Sequence, residues 1–247
     1  MTLEIHPVQG LPEIAQGDSL GGLIAAAVSV EDGDVVVISQ KVVSKAEGRI
    51  RRLSEVEPGA RARELAAKLG KDPALVELIL AESSSVVRAE RGVLITETRS
   101  GWVCANAGID ASNVEIDGSV TLLPADSDSS ARRIRAELKR ASGHEPAVVV
   151  SDSFGRPWRL GQCDVAIGCA GLLPLDDWRG RSDREGRELT ATVIALADEI
   201  AAAADLVRAK DTGVPATLVR GLARHVSRDD GPGAAAVQRP APDDLFR

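Results

Sequence analysis

Apolar positions along the chain follow two regimes. Some stand as short runs of consecutive β-branched residues, and others recur every three or four places. The run Val35-Val36-Val37-Ile38 leaves neither side of a pleat polar, which predicts a strand covered on both faces. Val148-Val149-Val150 predicts a second strand of this kind, and residues 216–219 a later one. The first two runs end in polar residues, Ser39-Gln40-Lys41 and Ser151-Asp152-Ser153, placed where a buried strand can present them to a ligand. Helices are predicted over 19–28 with Asp18 as the cap, over 60–69, and from Asp72 onward. In the last of these Asp72 caps, and Pro73 sits in the first turn, where its missing donor costs nothing. Further helices are predicted over 127–140, with Ile134 and Leu138 on one face, and over the Ala-rich stretch 188–208. Residues 86–97 read as a hairpin around Glu90-Arg91-Gly92, 102–104 as a continuation of that sheet, and 119–123 as another short strand. The glycines and charges between Gly161 and Gly186 fit a linker and an active-site loop equally well, and the tail from Asp229 is rich in Gly, Pro and Asp.

Aromatic content narrows what the core can be made of. The 247 residues include no Tyr, three Trp and two Phe, so Ala, Val, Leu and Ile must fill the interior. Strands of Val and Ile against helices of Ala and Leu predict an α/β or mixed α+β chain. Its length suits one large domain or two small ones, with no boundary legible. The formal charge of −7 gives no general attraction to nucleic acid or anionic lipid, although clustered Arg and Lys can still hold an anion locally. Three cysteines without a tight repeat suggest neither a disulfide framework nor structural zinc. The N-terminus lacks a basic segment followed by an apolar run, and no apolar stretch has the length of a membrane span; the expectation is a cytoplasmic protein.

Three segments can carry chemistry. Residues 104–113 combine small residues, which let backbone approach a ligand, with Asp110 and Asn113; an Asx-rich turn is the plainer reading. Ser151-Asp152-Ser153-Phe154-Gly155-Arg156-Pro157-Trp158-Arg159 sets hard oxygen donors of the kind Mg²⁺ or Mn²⁺ accepts beside two guanidinium forks. Trp158 also fits a core plug there, with both arginines solvated. Residues 176–188 hold four arginines among nine residues, from Arg179 to Arg187, suited to a polyanion site or to a self-neutralising charged loop. No GxxxxGK[ST], GxGxxG before a helix, HExxH or GxSxG is present, so a nucleotide would have to bind by another route and a Ser or Cys nucleophile is poorly supported.

Taken in order, several blocks resemble the F420-0:L-glutamate ligase family. They are Gly10-Leu11-Pro12-Glu13-Ile14, Ser39 to Arg49, Ala105 to Asn113, Leu122-Leu123-Pro124, Ser151 to Arg159, Gly161, Asp164-Val165-Ala166-Ile167-Gly168 and Asp198-Glu199. The resemblance spans nearly the whole chain. It implies ligation of L-glutamate to F420-0 with GTP, then a γ-linked glutamate on F420-1, by an intertwined homodimer of two-subdomain α/β subunits. Also implied are Mg²⁺ or Mn²⁺, stimulation by K⁺, and no nitroreductase-type domain after Arg247. Matched residue by residue, Leu11, Pro12, Glu13, Ile14, Gln40, Lys41, Lys45 and Asn113 resemble the GTP contacts. Asp110, Asp152 and Ser153 resemble the metal ligands. Lys45, Asp110, Asp152 and Arg156, with Arg159 beside it, are the expected catalytic groups. Rival readings are another nucleotide-dependent carboxylate–amine ligase and a non-catalytic nucleotide-binding protein.

Overall fold

The structure, a computed structural model, describes residues 2–110, 118–208 and 212–245. Its first elements are β1 (Glu4–Pro7), α1 (Leu20–Ala27), β2 (Val35–Ser39), α2 (Gln40–Ala46), β3 (Ile50–Arg52), α3 (Ala60–Leu69) and α4 (Pro73–Ala81). Then come β4 (Ser83–Glu90), β5 (Val93–Thr98), β6 (Val103–Ala105), β7 (Ser119–Thr121) and α5 (Ser127–Ser142). The last are β8 (Ala147–Arg156), β9 (Arg159–Ala170), β10 (Asp176–Asp177), β11 (Val193–Ile194), α6 (Leu196–Asp205) and β12 (Ala216–Arg220).

A five-stranded sheet in the order β1-β12-β2-β8-β9 forms the frame, with β2 and β8 parallel and the other pairs antiparallel. Val35 to Ile38 and Val148 to Val150 are buried on both faces, as their unbroken apolar runs require. Val36, Ile38, Val148 and Val150 pack with Ile24 of α1 and Ile134 and Leu138 of α5. The alternate residues Val35, Val37 and Val149 pack with Leu196 and Ile200 of α6. A third apolar cluster joins α3, α4, Leu94 of β5 and Val120 of β7. The class is therefore mixed α/β. Among the described residues no helix is long and apolar enough to cross a membrane.

Local chemistry explains the boundaries. The Asp72 carboxylate accepts from the N–H groups of Ala74 and Leu75 at 2.7 and 3.1 Å, and Pro73 opens α4. Asp126 caps α5 through Ser129 N at 2.9 Å, and Gly143 ends it at φ 81°. Between β4 and β5, Arg91 and Gly92 sit at φ 52° and 76°, the two left-handed residues a tight hairpin needs.

Four expectations need correction. Ser19, not Asp18, caps α1, because Asp18 turns back to accept from Ala15 N at 2.8 Å. Residues 40–46 form a helix directly after β2 where a polar turn was expected. The Ala-rich helix is shorter than expected, since residues 188–195 include an exposed turn and β11 before α6 begins. Residues 151–156 and 159–170 are neither strand end nor linker: they continue β8 and form β9 as one long hairpin.

Candidate functional site

Because β2 and β8 are parallel neighbours, the carboxyl end of β2 lies beside the middle of the longer β8, with Ser39 paired to Ser151. The polar end of β2 therefore meets the polar stretch of β8, just beyond the carboxyl end of β2, where open α/β sheets bind ligands. A cavity of about 1100 Å³ lies there. Leu11 to Ile14, the start of α2, residues 104–110, the polar part of β8, and residues 213–215 form its walls.

Helix α2 leaves β2 without a turn, so Gln40, Lys41 and Lys45 are carried straight onto one wall. Gln40 is buried, and its Oε1 accepts from Ser44 Oγ at 3.0 Å. The Lys41 ammonium lies 2.8 Å from Asp110, and Lys45 is paired with Glu13. Opposite, Asn106, Ala107 and Gly108 are successive left-handed residues at φ 54°, 53° and 69°. A Cβ on Gly108 would stand 2.7 Å from the Leu123 side chain, so glycine is required for this turn to close. Asp110 follows and is fixed by a two-way backbone bridge to Thr121, at 3.0 and 2.8 Å. Within this wall Asn106 Oδ1 is buried and has no hydrogen-bond partner among the described residues.

On the hairpin, successive residues face opposite sides of the strand. Asp152 accordingly shares a face with Val150 and Phe154, while Ser153 shares the other with Ser151. Ser153 Oγ donates to Asp164 Oδ1 at 2.5 Å, and Ser151 Oγ to Asp164 Oδ2 at 2.9 Å. The Arg208 guanidinium donates to the same Oδ2 at 2.5 Å and to Ser151 Oγ at 3.0 Å. Asp164 and Arg208 are 4% and 5% exposed, and both line the cavity. An extra residue, Ile167, interrupts the β8–β9 register; the N–H of Ala166 beside it donates to Asp198 Oδ1 at 2.9 Å. Burial raises the Asp198 carboxyl above the usual carboxylate range. Cys104 also lines the cavity, and burial, with the nearby Asp152 charge, pushes its thiol up to about 12. Its protonated form is a poor nucleophile.

The cavity thus gathers Leu11, Pro12, Glu13, Ile14, Gln40, Lys41, Lys45, Asp110, Asp152 and Ser153. Arg156 and Arg159 are not among its lining residues. They stand exposed at the far end of the hairpin, where Arg156 Nη2 donates to Leu160 O at 3.3 Å. Trp158, between them, is 81% exposed rather than a core plug. The arginine-rich loop neutralises itself in part: Arg179 grips Asp177, and Arg181 stands over the Trp178 ring at 5.0 Å. Asn113 lies outside the described residues. Asp164 stood in a block that resembles the family but carried no assigned role, Arg208 stood in no such block, and 44 residues separate the partners.

Two carboxylates and a hydroxyl on one cavity are hard donors suited to Mg²⁺ or Mn²⁺. Among the described residues no three His, Cys, Asp or Glu side chains cluster as a closed metal cage. The Lys41 ammonium beside Asp110 shows that carboxylate already engaged with positive charge.

The chain matches the family described as F420-0:Gamma-glutamyl ligase over residues 10–221. It is 46% identical over 253 residues to a coenzyme F420:L-glutamate ligase of Methanothermobacter thermautotrophicus, covering 100% of both chains. An enzyme of the same name from Methanopyrus kandleri is 46% identical over 248 residues, covering 100% of this chain and 98% of that one. One from Archaeoglobus fulgidus is 47% identical over 223 residues, covering 90% and 89%.

Proposed function

The chain belongs to the F420-0:gamma-glutamyl ligase family, and on that premise we propose that it joins L-glutamate to coenzyme F420-0 and then adds a γ-linked glutamate to F420-1, with GTP as co-substrate. The observation that carries this reading is the meeting of Asp110, Asp152, Lys41 and Lys45, from three separate segments, on one cavity. Binding alone needs fewer hard oxygen donors than joining two anions does.

A carboxylate does not accept an amine until it is activated. In the proposed sequence the acceptor carboxylate attacks the γ-phosphorus of GTP, the bond to GDP breaks, and an acyl phosphate forms. The glutamate amine then attacks the acyl carbon and phosphate departs. Lys45 and Lys41 would hold the phosphates and offset their charge, while Leu11 to Ile14, Gln40 and Asn113 would seat the nucleotide. Asp110, Asp152 and Ser153 would hold Mg²⁺ or Mn²⁺, with K⁺ as a further activator. A bound divalent cation supplies charge neutralisation where two anions meet. No covalent intermediate on the protein is needed, in keeping with the protonated Cys104 thiol.

The test is a mass-resolved assay with F420-0, glutamate, Mn²⁺ and each nucleoside triphosphate in turn. A gain of one or more glutamyl units with GTP is expected. No gain with any nucleotide, or ligation to another acid only, overturns the reading.

We further propose the family's intertwined homodimer of two-subdomain subunits. It is supported by the hairpin arm, whose tip exposes Trp158 at 81% and Leu160 at 99%, an apolar end that a second copy would cover. Light scattering over a wide concentration range should give twice the chain mass throughout, with dissociation accompanying unfolding. A folded, active monomer on dilution would rule it out.

A further inference from the structure

Under the polar end of β8 lies a buried group that the scheme above does not use. Asp164 accepts the hydroxyl protons of Ser153 at 2.5 Å and Ser151 at 2.9 Å, one on each carboxylate oxygen. Arg208 supplies the counter-charge from 2.5 Å on the oxygen shared with Ser151. Ser153 lies opposite Asp164 across the β8–β9 ladder, so the pairing is set by register rather than by side-chain reach. A serine hydroxyl rotates, and it ligates a cation through its lone pairs only when its proton points elsewhere.

We propose that Asp164, braced by Arg208, is a positioning residue for the divalent cation: it takes the Ser153 proton and so fixes the hydroxyl with its lone pairs toward the metal. This rests on the reading of Ser153 as a metal ligand and deepens it. Losing a partner that orients a ligand in this way typically costs about 10-fold to 100-fold in metal affinity.

Asp164→Asn alone takes the nearest counter-charge from the buried Arg208 guanidinium, leaving Asp205 at 3.9 Å, and is expected to unfold easily. The informative variant is therefore the paired Asp164→Leu, Arg208→Met, which removes both charges at similar volume. Mn²⁺ alone is titrated into wild type, Ser153→Ala, the paired variant and the triple combination. Free Mn²⁺ is followed by electron paramagnetic resonance and folding by thermal melts. Ser153→Ala should weaken Mn²⁺ binding. The paired variant, still folded, should weaken it by about 10-fold to 100-fold, and the triple variant no further than Ser153→Ala. Wild-type affinity in Ser153→Ala would remove Ser153 as a ligand, and the proposal with it. With Ser153→Ala weakened, a folded paired variant of wild-type affinity overturns the positioning role alone. Fully additive losses in the triple variant would make Asp164 a ligand in its own right and also overturn it.

Discussion

Exchanging Asp152 for Asn is expected to lower ligase turnover on the order of 100-fold to 1000-fold, the scale seen when one preorganised electrostatic group is lost at a reacting centre. The substitution keeps shape and volume while removing the charge, and a neutral amide is a poor donor to a hard cation. Asp152 is partly exposed on the cavity wall, so its melting temperature should move little. Raising Mn²⁺ should recover part of the lost rate if the defect is one of cation binding. Asp110→Asn should behave in the same way, with one addition. It also removes the carboxylate charge that stands 2.8 Å from the Lys41 ammonium. Steady-state rates at saturating GTP across a Mn²⁺ series provide the check. Near-wild-type turnover in both variants at low Mn²⁺ would remove these residues from the metal site.

Elements with chemically marked ends were legible before the fold was seen. Helix α3 has the predicted limits, α4 begins where predicted, and α5 begins as predicted and runs two residues further. Gly70 closes α3 at φ 65°, Asp72 and Pro73 open α4, and Gly143 ends α5. Helix α2 was not legible because it lacks such marks: Ser39 makes no side-chain capping bond, and Val42 and Val43 favour strands when read locally. The β8–β9 hairpin was hidden for a related reason. Its outer half is exposed, so residues 155–162 follow no apolar alternation and contain Gly, Pro and Arg.

The candidate site divides along the same line. Ser39-Gln40-Lys41 and Ser151-Asp152-Ser153 were readable as polar residues directly after buried apolar runs, but their meeting depends on β2 and β8 being parallel neighbours, a relation between distant segments. Arg156 is the converse case. Its closeness to Asp152 in sequence suggested a shared site, yet an extended strand rises about 3.3 Å per residue. Arg156 comes one residue after Gly155, which still lines the cavity, and is not itself a lining residue. Asp164 and Arg208 needed the folded chain to be noticed, since nothing local marks a pair joined across 44 residues.

Truncating Lys45 to Ala should raise the apparent KM for GTP and lower kcat together, reducing kcat/KM on the order of 100-fold. Lys45 sits in the last turn of α2 and reaches across the cavity wall to Glu13. Its ammonium is therefore already held near the position from which a phosphate could take it over. The Glu13 side chain is mostly exposed, so losing its partner strands no buried charge. The Lys45 side chain itself is only 11% exposed, so folding stability without nucleotide should fall by about 1 kcal/mol through lost packing. A group that only binds ground-state GTP would change KM and leave kcat alone. One that also offsets charge as the γ-phosphoryl group moves must change both. Lys45→Arg should recover only part of the loss, because a planar fork does not reproduce the geometry of a compact ammonium. Affinity for glutamate should change much less, since glutamate enters after the acceptor carboxylate has been activated. The measurement is steady-state kinetics with GTP varied at saturating F420-0 and Mn²⁺, beside thermal melts of the same preparations. Unchanged KM and kcat would return Lys45 to a role in pairing with Glu13 alone. A change in KM only would confine it to holding the nucleotide and leave transfer of the phosphoryl group to Lys41 and the metal-binding carboxylates.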